Sequence, residues 1–137
     1  MKVLAVLLIS LTTMLSALAQ ETTTITVTVP NASSDAGTIK FGLHNKETFM
    51  KKNPIQVAES KIEKGTCTIT FKNVPTGEYA ITCFHDKNSN GIMDFQPNGM
   101  PLEDYGASNN VMSFGPPRYS DAKFMVEDKD VSLEIRL

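Results

Sequence analysis

The sequence predicts an all-β domain: a single antiparallel β-sandwich of about seven strands, immunoglobulin- or transthyretin-like, with one long ordered loop over residues 85–120. Three observations predict it. Short runs of β-branched and aromatic residues alternate with polar ones. Clusters of Asn, Gly, Pro and Asp punctuate those runs. No long segment carries the 3.6-residue apolar period of an amphipathic helix.

The chain opens on a segment of another kind. Lys2, the apolar run Val3–Ile9 and the small-x-small triplet Ala17-Leu18-Ala19 read as a signal peptide over residues 1–19, cleaved before Gln20. The apolar run is too short to span a bilayer, so no membrane span is expected. No cysteine stands at the cleavage site to take a lipid. Residues 20–137 are then one domain of secreted or periplasmic location, long enough to fold without staples.

Within that domain Thr24–Val29 alternates strictly, and Thr38–His44 places Ile39, Phe41 and Leu43 on one face. Residues 45–54 form a polar loop with one helical turn around Glu47–Lys51, and Ile55–Ile62 is a short strand. Thr66–Phe71 and Glu78–Phe84 flank Asn73-Val74-Pro75-Thr76-Gly77, which predicts a hairpin. A turn centred on Pro75 sets Phe71 opposite Tyr79, Ile69 opposite Ile81 and Cys67 opposite Cys83, all on the core face. The two thiols then form either a disulfide or a buried free pair, and they do not suggest a zinc cluster. Ala122–Val126 and Val131–Leu137 close the domain as two strands around Asp128-Lys129-Asp130.

Charge narrows the functional classes. Residues 20–137 carry 12 basic and 15 acidic side chains, with no basic stripe, so nucleic acid is not an expected partner. The excess acid is concentrated over residues 86–104, where Asp86, Asp94, Glu103 and Asp104 stand against Lys87.

That segment carries the one specific constellation. Asp86, Asn88 and Asn90 put oxygen-bearing side chains at positions one, three and five of a loop. Gly91 permits a sharp turn, Ile92 offers its backbone carbonyl at position seven, and Asp94 sits at position nine. Ca²⁺ takes oxygens in this spacing. An EF-hand would place Glu at position twelve, where this chain has Pro97, and would need flanking helices. Glu103 is the expected remaining ligand and Asp104 the alternative, brought back by the turn formers of Pro97–Pro101. One ion held with an affinity of roughly 10⁻⁴–10⁻³ M suits such an extracellular site. The competing reading is an ordinary solvated turn at Asn90-Gly91.

Other chemistry is weaker. His44 and His85 each end a strand. Ser108, His85 and Asp86 lack the strained nucleophile turn of a hydrolase. Tyr105, Phe114 and Tyr119 are candidates for an aromatic platform binding a cell-surface glycan or peptide, or for packing. The expected function is therefore a Ca²⁺-binding module of structural or binding role, not an enzyme. A carbohydrate- or peptide-binding module, or a small hydrolase, using the 85–120 loop is the alternative.

Several separated motifs occur in a recognisable order. They are His85-Asp86-x-Asn88-x-Asn90-Gly91-x-x-Asp94, Gly99-x-Pro101-x-Glu103-x-Tyr105-Gly106-x-Ser108-Asn109-Asn110, Phe114-Gly115-Pro116-Pro117 and Asp121-Ala122. With Val74-Pro75-x-Gly77-x-Tyr79, they make residues 24–137 resemble an uncharacterised secreted bacterial family, domain of unknown function 2141. The Val74–Tyr79 segment is also similar to those of transthyretin-like surface modules, some of which bind Ca²⁺ through Asp-x-Asn-x-Asp-Gly loops. Asn90 and Pro97 stand where those modules often have Asp and Glu. The resemblance implies fold and location, and no activity.

Overall fold

The computed structural model describes residues 22–112 and 114–137. The expected signal peptide lies outside the described residues. Among the described residues eight strands form: β1 (Thr22–Val29), β2 (Thr38–His44), β3 (Gln56–Lys61), β4 (Cys67–Pro75), β5 (Gly77–Asp86), β6 (Tyr105–Ala107), β7 (Phe124–Val126) and β8 (Val131–Glu134). A 3-10 turn at Ser108–Asn110 and the single-turn helix α1 (Tyr119–Ala122) are the only helical pieces among the described residues.

Two sheets pack face to face. The smaller has the order β4-β1-β8, and the larger β3-β2-β5-β6 with β7 also on β5. Alternation puts one set of side chains of each inward strand into the core between them. Ile25, Val27 and Val29 of β1 are fully buried, as are Ile39 and Leu43 of β2. Cys67, Ile69 and Phe71 of β4 join Tyr79, Ile81 and Cys83 of β5 in the same cluster.

Those last six share the core as expected, but not by a hairpin. β4 pairs β1 in the small sheet, and β5 pairs β2, β6 and β7 in the large one. Pro75-Thr76-Gly77 is thus a corner between sheets. The Tyr79 hydroxyl clamps it by donating to the Pro75 carbonyl at 2.8 Å, with the ring lying against Gly77. Just before the corner, Asn73 adopts φ +57° at a bulge in the β1–β4 register, which bends β4 away. Both cysteines are free and buried; burial pushes the Cys83 thiol up to about 12.

The closing strands also part company. β7 joins the large sheet, while β8 pairs parallel to β1, the one exception to an antiparallel fold. Ile135 N donates to Thr28 O at 2.9 Å, and Asn31 exchanges two hydrogen bonds with the Leu137 backbone. Residues 46–51 make successive turns in place of a helical turn. Phe49, set there, packs edge-on against His44 and Tyr119 and covers Ala80 and Ala122 on the outer face of β5.

The region expected as one loop, 85–120, is only partly loop. Strand β5 runs through Asp86, and Tyr105–Ala107 returns to it as β6. Gly106 makes that return possible: a Cβ there would lie 2.6 Å from the Arg136 carbonyl oxygen.

Candidate metal centre

Strand β5 delivers Asp86 to the rim of the sandwich with only 1% of its surface exposed. The chain then turns tightly through Ser89 (φ +56°) and Gly91 (φ +82°). This turn points two backbone amides back at the Asp86 carboxylate: Asn90 N donates to Oδ1 at 3.2 Å and Gly91 N to Oδ2 at 2.9 Å. Ile92 N donates to Asn90 Oδ1 at 3.1 Å, and the Ile92 side chain is exposed.

Asp94 is drawn into the same turn. Asn88 Nδ2 donates to its Oδ2 at 2.7 Å, and Asn90 Nδ2 to its two oxygens at 2.8 and 2.9 Å. These amide bonds favour the charged form and hold the Asp94 carboxyl below its usual range. Past Asp94 the chain doubles back. Gln96 N donates to Met100 O at 2.7 Å, Leu102 N donates to Asp94 O at 2.8 Å, and Phe95 bridges Pro101.

This return sorts the two acids that follow. Glu103 is only 7% exposed and sits against Asp94, with one carboxylate oxygen, Oε2, buried and without a partner. Burial, then the Asp94 charge and then that of Asp86, push the Glu103 carboxyl above its ordinary range. Asp104 goes elsewhere. Its Oδ2 accepts from Ser33 Oγ at 3.0 Å and meets Lys87 Nζ at 3.4 Å, and its carbonyl accepts from His85 N at 2.9 Å. Of the two candidate acids, Glu103 faces the loop and Asp104 braces it.

Asn88, Asp94 and Glu103 line one open space of about 430 Å³, and the hydrogen bonds of the turn tie Asn90 to Asp94 and Asp86 to Asn90 beside it. Among the described residues, no three His, Cys, Asp or Glu side chains are placed so that they could hold a metal ion, so Asp86, Asp94 and Glu103 do not converge as they stand. Asn88 and Asn90 present amide nitrogen to Asp94, whereas a cation takes oxygen. Rotation about the last side-chain torsion exchanges one for the other. The donor set is all oxygen, which suits a hard cation and no soft one.

Two supports carried no clear sequence signal. Gly37 (φ +67°) passes so close to the loop's first residue that a Cβ would fall 2.0 Å from the Asp86 carbonyl oxygen. His85, fully buried, meets Ala36 O through Nε2 at 2.7 Å and anchors the same corner. A Gly after a Ser/Asp cluster marked a turn, but not what the turn would touch.

The other candidate sites come apart. The Ser108 hydroxyl accepts from Ile81 N at 3.0 Å and donates to Ala122 O, so it is engaged in structure. Tyr119 packs on Phe49, Phe114 is fully exposed, and Tyr105 lines a different cleft from Tyr119; no shared platform forms. No helix among the described residues is long and apolar enough to cross a membrane.

A family profile described as an uncharacterised protein conserved in bacteria (DUF2141) matches residues 27–134. No curated protein and no solved structure matches the chain.

Proposed function

The chain belongs to DUF2141, a family of uncharacterised bacterial proteins, and we propose that it is an exported β-sandwich module whose 86–104 segment is ordered by one Ca²⁺ ion. The ligands are side-chain oxygens of Asp86, Asn88, Asn90, Asp94 and Glu103 with the Ile92 carbonyl. The role is structural or binding, at the cell surface or in the periplasm.

One observation carries this reading: the buried, partnerless oxygen of Glu103 beside two further carboxylates. The Asp94 backbone amide reaches this carboxyl, but a buried carboxylate oxygen left without a donor is costly, and a second negative charge beside it adds to the cost. Lys87, the basic side chain of this segment, is turned to Asp104. A divalent cation supplies the missing partner and reverses the sign of the local electrostatics.

Calorimetric scans of the purified protein, first in EDTA and then with Ca²⁺, test the proposal. The melting temperature is expected to rise with Ca²⁺, and Asp86→Ala to abolish the rise. A wild-type melting temperature indifferent to Ca²⁺ would sink it. Export is tested separately by N-terminal sequencing of protein recovered outside the cytoplasm, expected to begin at Gln20.

A further inference from the structure

Five methionines fall among the described residues, and three of them, Met50, Met93 and Met100, line one cleft of about 340 Å³. They come from two separate turns. Met50 and Met100 are each 59% exposed, so neither is filling a core gap. Met50 is odd in a second way. Its backbone sits at φ +57°, in the left-handed region where a side chain larger than that of Gly or Asn is disfavoured. The surrounding turn holds it there.

We propose that this cleft binds a soft monovalent cation of the Cu(I) class through the thioether sulfurs of Met50, Met93 and Met100. Thioether sulfur is a neutral, polarisable donor that selects such ions over Ca²⁺ or Mg²⁺. No charged side chain lines the cleft, so a hard divalent ion finds no carboxylate there. Phe95 and Tyr105 complete the wall with aromatic surface, which attracts a cation further.

The placement follows from the same fold-back that sorts the acids. Along the strand-like stretch at 93–95, successive side chains leave on opposite sides. Asp94 lines the cleft shared with Glu103, Met93 lines the methionine cleft, and Phe95 borders both. One hairpin thus carries hard oxygen donors on one side and soft sulfur donors on the other.

The test uses the full folded chain labelled with ¹³C at the methionine methyls and titrated with Ag⁺, a redox-stable stand-in for Cu(I), in chelator-free buffer without Ca²⁺. The Met50, Met93 and Met100 methyl signals are expected to move together and saturate at one equivalent, while Met112 and Met125 stay in place. Met100→Leu and Met50→Leu keep the apolar bulk and are each expected to weaken Ag⁺ binding by about tenfold or more. Met125→Leu should leave it unchanged. Methyl signals that stay put because Ag⁺ goes to the Cys67 and Cys83 thiols, separate midpoints for the three methyls, or full affinity in Met100→Leu would each overturn the proposal. Because Ca²⁺ is left out, failure here is distinct from failure of the oxygen site.

Discussion

Glu103→Gln should change protein stability in opposite directions with and without Ca²⁺. The substitution keeps the shape and one oxygen but removes a negative charge that faces Asp94 and, less strongly, Asp86. In EDTA the variant should therefore melt at or above the wild-type temperature. With Ca²⁺ it should fall behind, because it has lost a charged ligand. At tenfold saturation the ion adds about 1.4 kcal/mol to the wild type, or roughly 6 °C for a domain of this size. If the variant binds tenfold more weakly, the same Ca²⁺ concentration adds only about 0.4 kcal/mol, or roughly 2 °C. The acid range supplies a second check. Without the ion, a carboxyl whose folded pKa is raised contributes stability below its ordinary 4.5, and that contribution is lost as pH rises through the folded value. Asp94, shifted down, has the opposite slope: its contribution is present above 3.8 and lost as pH falls through its folded value. Calcium affinity should weaken as pH drops into the range where Glu103 takes up its proton, and Glu103→Gln should flatten that dependence. Scanning calorimetry in the two buffers reads all of this. A variant less stable than wild type in EDTA, or one with an undiminished Ca²⁺ increment, would refute the reasoning.

Three further outcomes are expected. Phe71→Ala empties a fully buried site between the sheets and should cost about 3–5 kcal/mol in urea unfolding; a loss below about 1 kcal/mol would show that the core collapses around it. Gly37→Ala combines a left-handed backbone with overlap on the Asp86 carbonyl, so it should cost about 2–5 kcal/mol and reduce the Ca²⁺-induced rise in melting temperature, both readable by calorimetry. Burial raises both thiols, Cys83 to about 12, so neither should react with a thiol-directed chromogenic reagent at pH 8 until urea is added; rapid labelling of the folded protein would contradict this.

Periodicity made the strands and their inward faces legible, but not their partners. Thr38–His44 reads correctly to the residue because Ile39, Phe41 and Leu43 alternate cleanly. Phe71 and Tyr79 likewise both face inward as expected, yet from opposite sheets. Alternation reports which side is apolar, and a sandwich has two sheets that share one apolar side. The Asn73–Gly77 turn chemistry suits a corner as well as a hairpin; the distinguishing feature is the Tyr79 hydroxyl reaching Pro75, which only the fold displays. In the loop, spacing brought out Asp86, Asn88, Asn90 and Asp94, since their order is local. The order of preference, Glu103 before Asp104, was also legible, but its physical reason was not: the fold-back at Phe95 and Pro101 sets Glu103 against Asp94 and leaves Asp104 with Ser33 and Lys87. Three-residue β6 and the methionine cleft were out of reach because their meaning lies in distant contacts.

The parallel pairing of the first and last strands has a mechanical consequence. Tension applied at Thr22 and Leu137 would draw β1 and β8 along each other lengthwise, so their rungs would bear the load together instead of peeling open one by one. Asn31, bonded twice to the Leu137 backbone, would resist that sliding at its far end. A domain built this way is suited to being pulled.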